Sequence, residues 1–267
     1  MPGPRQDIKG ESRLAKPEKS TFQTTLIKFK TSRTLLQNLL PNESYTFGTP
    51  STVAAATFSH TLLSGMDWLG GSGYRHLGLY IHGVQYRKAD GEVVEGTYLP
   101  VLFEDLADPI VSGREELGMP KLYSALDAHE RDGSFYLQAS WQGAVWGRIS
   151  WEGLEDEDPA SHSGPDEGGI LTHRYIPQVG ADRRGQAEAE YPVFVPNAET
   201  KTLGSKATRV RRARKAELDI DGLDWKALPT LHHVVERLAE IPVDEILEAK
   251  IVEGEGVPDV SSARRID

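Results

Sequence analysis

The chain contains no cysteine. Disulfides, a thiolate nucleophile and cysteine-ligated metals are thereby excluded, and thiol usage says nothing about the redox compartment. Long apolar runs are missing as well. Nowhere do about 18 apolar residues follow one another, so no transmembrane helix is expected. Met1–Ser20 is rich in Lys, Arg, Glu, Pro and Gly and has no apolar stretch of the roughly 7–15 residues that a secretory signal needs. A cytoplasmic location is the default expectation. Positive charge is in deficit: 30 Lys and Arg against 40 Asp and Glu leave a net charge of −10, which argues against broad binding to nucleic acid or an anionic membrane.

What is present is an ordinary globular composition, 38% hydrophobic and 26% charged over 267 residues, enough to bury a sizeable core. Residues 1–20 read as a flexible polar arm, and 21–267, with no internal repeat and no cutting point, as a single domain. Phe22–Phe29 has a strand pattern, Arg33–Leu40 a short helical one stopped by Pro41 and Asn42. Extended stretches follow at Ser51–Leu63, Gly78–Arg87 and Gly96–Phe103, separated by turns at Gly70, Gly71 and Gly73 and by the hairpin signal Asp90-Gly91. Ser134–Gln142 and Ala144–Trp151 are strands broken at Gly143. Residues 155–169, acidic and rich in Pro, Ser and Gly, read as an exposed loop. Strands are expected again at Ile170–Val179, Glu190–Val195 and within Lys201–Ile220, a helix at Pro229–Ala239, and a helical turn then a strand in Glu240–Ile251. Many short strands with few helices indicate an antiparallel, β-rich α+β domain.

Asp108–Leu122 (DPIVSGREELGMPKL) holds most of the chemical information. It sets Lys121 directly after Pro120, among Met119, Leu122 and Tyr123, with Arg114, Glu115 and Glu116 as the nearby charges. Burial penalises the ammonium form of a lysine, and a neutral lysine is a nucleophile toward ketones and aldehydes. From an ordinary pKa of about 10.4, neutrality at pH 7 corresponds to about 4.6 kcal/mol. The competing reading is a charged surface lysine whose stem covers apolar neighbours.

Gly113-Arg114-Glu115 followed by Met119-Pro120-Lys121 resembles the signature of the acetoacetate decarboxylase family. The upstream Leu77-Gly78-Leu79-Tyr80 and the downstream Ile241-Pro-Val-Asp-Glu-Ile246 are similar to further stretches of that family. The resemblance implies a strongly bent sheet or closed β-barrel, a homo-oligomer, no cofactor and no metal. It makes Lys121 the residue that condenses with a keto acid to an iminium, whose nitrogen accepts the electron pair released as CO₂ leaves. In acetoacetate decarboxylase itself an adjacent cation activates the lysine; here the following residue is Leu122, so desolvation must act alone.

By ungapped spacing two family glutamates fall on His82 and Asp67, which the resemblance proposes for proton transfer. A family arginine on the first strand falls on Phe22. Arg75 or Arg114 is the expected replacement for that clamp, and Tyr80, Met119, Arg114 and Glu115 are expected to surround the substrate or order the lysine loop. The expected activity is therefore that of a cofactor-independent Schiff-base lyase on a β-keto acid or related keto compound, with decarboxylation as the leading reaction. A Schiff-base aldolase, dehydratase or cyclase acting on a larger natural-product intermediate is the alternative; a non-catalytic small-ligand-binding protein is the alternative outside enzymes. His232-His233 reads as a helix end rather than a metal pair. The basic stretch Arg209–Lys215 reads as a solvated or intersubunit strand face rather than a nucleic-acid site, and Trp141, Trp146 and Trp151 as core or interface.

Overall fold

The computed structural model describes residues 20–161, 168–197, 205–257, 260 and 262–267. The expected N-terminal arm, apart from Ser20, and the centre of the expected acidic loop (162–167) lie outside the described residues. Strand β1 (Thr21–Ser32) leads into a short helix α1 (Arg33–Gln37), then β2 (Tyr45–Phe47) and three long strands, β3 (Val53–Met66), β4 (Ser72–Arg87) and β5 (Val93–Glu104). Helix α2 (Ala107–Glu116) delivers the chain to β6 (Lys121–Tyr123) and β7 (Ala125–Arg131). There follow β8 (Ser134–Trp141), β9 (Ala144–Glu157), β10 (Gly169–Pro177), β11 (Ala187–Pro196) and β12 (Lys206–Ile220). Helix α3 (His232–Ala239), β13 (Glu245–Glu255) and the two-residue β14 (Arg264–Arg265) complete the chain. Among the described residues no helix is long and apolar enough to cross a membrane.

Turn chemistry explains the hairpins. Gln142 and Gly143 both take positive φ (46° and 87°), the conformation that suits a tight link between twisted strands such as β8 and β9. Gly91 does the same (φ 91°) after Asp90, whose carboxylate accepts the Glu92 amide at 2.9 Å. Among the described residues all strands join one sheet in the order β14-β11-β10-β5-β4-β3-β1-β13-β12-β9-β8-β7, with β2 on β4 and β6 on β5. The sheet is open rather than a closed barrel: its end strands β14 and β7 do not pair among the described residues. It is mixed rather than purely antiparallel, and both parallel junctions involve β5, with β10 and with β6.

Alternation along β1, β3 and β4 splits the molecule into two layers. Ile27, Phe29, Phe58, His60, Leu77, Leu79 and Ile81 face a core shared with Phe135, Trp146 and Trp151. Trp146 and Trp151 are fully buried, with indole N–H groups bonded to the Ser124 hydroxyl and the Leu26 carbonyl at 3.1 and 3.0 Å. Trp141 packs against the same core. The other face, carrying Phe22, Thr24, Thr61, Leu63, Tyr74, His76 and Tyr80, lines a cavity.

Two expectations change. Glu155–Glu157 extend β9 instead of entering a loop, because the basic run of β12 lies alongside. Arg209 pairs with Asp156, Arg212 with Glu157, Arg214 with Glu155, and the buried Arg211 with both Glu130 and Glu253. The basic stretch is thus matched by acids on neighbouring strands. Residues 241–244 hold no helical turn; β13 begins at Glu245.

Candidate active site

The cavity measures about 770 Å³ and is lined mainly by apolar side chains. Four of its polar groups stand in a row set by strand register. Thr24 on β1 lies opposite Thr61 on β3, Thr61 opposite His76 on β4, and His76 opposite Glu104 on β5. Directly opposed residues share a face of the sheet, so these four side chains cross the cavity floor as one line. The two threonine hydroxyls meet at 2.9 Å. Lys121, opposite Leu102 on the parallel strand β6, reaches back to the end of this row. Its Nζ lies 2.7 Å from Glu104 Oε1 and donates to the Pro109 carbonyl at 3.0 Å. Lys121 is 5% exposed and Glu104 0%.

Local sequence explains how a lysine reaches such a place. A Cβ at Gly113 would lie 2.3–2.6 Å from Cε, Cδ and Nζ of Lys121, so only glycine leaves room for the lysine stem beside α2. Arg114 donates from Nη1 to the Lys121 carbonyl at 3.1 Å, and the Glu115 carbonyl accepts from Arg174 at 2.8 Å. Gly118 takes φ 65°, and its carbonyl accepts from Thr172 at 3.1 Å. The loop then folds back, the Met119 amide donating to the Gly113 carbonyl at 3.0 Å. Each residue of Gly-Arg-Glu therefore fixes a different part of the lysine loop. Gly78 serves the opposite wall: a Cβ there would lie 2.8 Å from Leu102 Cδ1 and 3.0 Å from the Tyr80 ring.

Burial dominates the titration of the row. It pulls His76 down to about 3, assisted by the positive charge of Lys121 and by His60, so His76 is a neutral imidazole at pH 7. Its Nδ1 is buried without a hydrogen-bond partner. Tyr80 is pushed above the ordinary phenol value by burial and then by the negative charge of Glu104, so it stays protonated. His60, on the core face with its Nδ1 3.3 Å from the Thr25 hydroxyl, is lowered to about 3 by burial and then by Arg75.

The structure brings Lys121, Tyr80 and Met119 together on the cavity wall and sets the other expected residues outside it. His82 lies further along β4, 2.7 Å from the Thr57 hydroxyl. Asp67 is exposed in a helical turn beside Trp68, which does line the cavity. Arg75 occupies the opposite face of β4 and binds Asp105. Arg114 and Glu115 support the lysine loop from outside, and the Glu115 side chain is exposed. Phe22 projects into the cavity, its ring over Gly254, where an added Cβ would lie 2.5 Å away. Leu122, next to the lysine, alternates to the other face and packs against the main core. Glu104 carries no signal in the sequence, which offers His76 only as a histidine whose spacing carries no metal signature. Glu104 ends an apolar strand (Leu99–Phe103), and only the pairing of β5 with β6 shows what it meets. Among the described residues no group of three or more His, Asp or Glu stands ready to hold a metal ion.

The family model for acetoacetate decarboxylase (ADC) matches residues 4–256. The chain belongs to the acetoacetate decarboxylase family. A solved acetoacetate decarboxylase aligns with a TM-score of 0.67 at 13% identity, covering 98% of this chain and 94% of that one. An acetoacetate decarboxylase-like enzyme from Sphingomonas wittichii RW1 aligns with a TM-score of 0.63 at 13% identity, over 93% and 92% of the two chains. The enduracididine biosynthesis enzyme MppR, complexed with the condensation product of pyruvate and imidazole 4-carboxaldehyde, aligns with a TM-score of 0.59 at 16% identity, over 96% and 92%. These identities support the shared fold. No curated protein matches the chain in sequence.

Proposed function

We propose that this family member is a cofactor-independent Schiff-base enzyme in which Lys121 is the nucleophile and Glu104 the proton carrier, acting on a keto compound with a large apolar body. The observation that carries the reading is the 2.7 Å contact between the Lys121 ammonium nitrogen and the buried Glu104 carboxylate inside a cavity of about 770 Å³. Desolvation penalises both ions of such a pair, so moving the proton to the carboxylate yields a neutral amine and a neutral acid where both are needed.

The steps then balance. The Lys121 amine attacks the carbonyl carbon, protonated Glu104 gives its proton to the departing oxygen, and water leaves as the iminium forms. Glu104, now a carboxylate, takes a proton from the carbon next to the iminium, giving an enamine. The enamine either adds to an aldehyde or expels a β-hydroxyl as water, and hydrolysis of the C=N bond frees Lys121. Neutral His76 and protonated Tyr80 are hydrogen-bonding groups for the reacting oxygens, and Thr24 and Thr61 offer partners to a second oxygen further along the substrate.

Aldol or dehydration chemistry is favoured over decarboxylation because the wall offers a carboxylate so little. Phe22 stands where the family resemblance expects an arginine, and Lys121 and the exposed Lys206 are the cations among the described lining residues. A four-carbon acid would also fill little of the cavity; such volumes suit ligands of drug size. The condensation product bound to MppR supports the same preference. Decarboxylation of a β-keto acid is the second reading. The family's description supports it, Lys206 is its carboxylate partner, and it passes through the same iminium. A homo-oligomer is proposed on the family resemblance.

Borohydride trapping tests the proposal. The protein is incubated with acetoacetate, acetopyruvate and the neutral ketone 4-phenyl-2-butanone, reduced, and mapped by peptide mass spectrometry. An adduct on Lys121 that Lys121→Ala lacks is expected, strongest with the neutral ketone. No adduct on folded protein leaves a non-catalytic binding protein as the reading.

A further inference from the structure

A second, smaller cavity of about 150 Å³ lies behind the lysine loop, lined by Arg114, Gly118, Met119, Pro120, His173 and Arg174 together with Tyr175 and Ile176. Two arginines line it, and neither pairs with a carboxylate among the described residues. Each is tied instead by one Nη1 donor to a backbone carbonyl of the segment that carries Lys121, Arg114 to Lys121 itself and Arg174 to Glu115. Arg174 Nε is buried with no hydrogen-bond partner. The carboxylate that does touch a lining residue, Glu190, contacts Nε2 of His173 at 3.4 Å, while Nδ1 of that ring meets the Tyr45 hydroxyl at 3.1 Å. In a chain of net charge −10, where the arginines of β12 each hold an acid, these two share one recess without a carboxylate, and the further partner of Arg174 is the Tyr191 ring at 5.8 Å.

We propose that this recess binds a small oxyanion, a phosphate or the carboxylate of a small organic acid, and that the anion clamps the Lys121 loop. Each guanidinium keeps donors beyond the one it spends on the backbone, in the planar fork that matches an oxyanion edge. The recess is about the size of such an ion and too small for a nucleotide. Coupling to the main cavity is direct: Met119 lines both spaces and is the partition between them. Gly118, whose positive φ shapes the loop, packs against the Arg174 stem, where an added Cβ would lie 3.5 Å from Arg174 Cβ. An anion bridging Arg114 and Arg174 therefore fixes both ends of the loop and the wall on which Met119 sits.

Binding is measured on the full chain by titration calorimetry and by the thermal unfolding midpoint. Phosphate and succinate are titrated separately, with sodium chloride holding ionic strength constant. A saturable heat with one phosphate or succinate per chain is expected, along with a rise in midpoint, and the tighter of the two identifies the source of the oxyanion. Arg174→Gln is expected to weaken binding at least about tenfold, the loss of a charge-assisted hydrogen bond. Arg174→Lys keeps the charge without the fork and is expected to fall between, with a midpoint near wild type when no anion is added. Absence of a saturable heat in the wild-type protein overturns the proposal. So does equal binding by either variant in folded form, which would mark a non-specific salt effect. Because the readout is binding, it stands apart from whether Lys121 forms a Schiff base.

Discussion

Glu104 and Lys121 reach each other across two parallel strands, Oε1 to Nζ at 2.7 Å, with Glu104 fully buried. Two charges in such a place are costly apart and tolerable together, because each offsets the desolvation of the other. Their pairing also gives the lysine a proton acceptor that a purely apolar pocket would lack. Glu104→Gln keeps the shape and removes the acceptor. It is expected to lower turnover by roughly 10²–10⁴, the range for losing a general acid–base. Borohydride trapping on Lys121 should slow but persist. Turnover within a factor of two of wild type, on any substrate that labels Lys121, would remove Glu104 from the mechanism.

Gly113 offers a second test, because helix propensity and function pull in opposite directions there. In the interior of α2 an alanine is intrinsically favoured over glycine by about 1 kcal/mol. The added methyl, however, would overlap the Lys121 stem at 2.3–2.6 Å, and overpacking of this kind costs about 1–3 kcal/mol. Gly113→Ala is expected to unfold at a similar or slightly lower temperature while losing most Lys121 adduct formation, since the lysine must leave its place between Pro109 and Glu104. An undiminished rate of adduct formation would show that the stem has another path.

Much of this was legible in the chain. The extended stretches placed β3, β5 and β8 within three residues, while β4 begins six residues earlier and β9 ends six residues later than expected; Gly91 and Gly143 marked real hairpin turns, because positive φ is a local property. Lys121 stood out through the family resemblance of Gly113-Arg114-Glu115 and Met119-Pro120 around it, since apolar neighbours alone also suit a surface lysine. What stayed hidden depends on which strands pair. Glu104 sits at the end of an apolar strand and reads as a solvated terminus until β6 is laid beside it. His76 becomes notable only opposite Thr61 and Glu104. The acidic run at residues 155–157 looks like loop until the arginines of β12 arrive to neutralise it. Ungapped spacing pointed to His82 and Asp67, but strand direction leaves the first beside Thr57 and the second on the surface.

The buried histidines make stability depend on pH in a window where few other groups titrate. His60 and His76 are held near 3 against an ordinary 6.5. The unfolded chain therefore takes up protons below about 6.5 that the folded chain refuses, and stability falls as pH drops from there toward 3. Between pH 7 and pH 5 the loss amounts to about 2 kcal/mol for a histidine as buried as His60; His76, partly open to the cavity, should contribute less. Carboxylates held low by arginines, such as Glu130 and Asp156, give up their contribution only at lower pH, starting near their ordinary values of 4.5 and 3.8. Urea unfolding at pH 7 and pH 5 is expected to show the drop, and His60→Gln to reduce it by more than half. An equal drop in the variant would assign the pH dependence elsewhere.

On the proposed function, Phe22 is the residue expected to set what charge the substrate can carry. Its ring enters the cavity beside Gly254 on the neighbouring strand, in the row next to Thr24, at a point where a cation would meet a substrate carboxylate. With a phenyl group there, a neutral keto compound gains apolar contact and a keto acid gains nothing to offset the desolvation of its charge. Phe22→Arg reverses both terms. The variant is expected to trap acetoacetate on Lys121 at roughly tenfold lower concentration than wild type, the scale of one charge-assisted contact. Trapping of 4-phenyl-2-butanone should weaken. The comparison is internal, since both ligands report on the same lysine in the same protein, and a loss of reactivity toward both would signal only a damaged site. If instead the two ligands keep their wild-type ratio in a folded variant, Phe22 does not set substrate charge, and the preference for aldol or dehydration chemistry over decarboxylation loses its main structural argument.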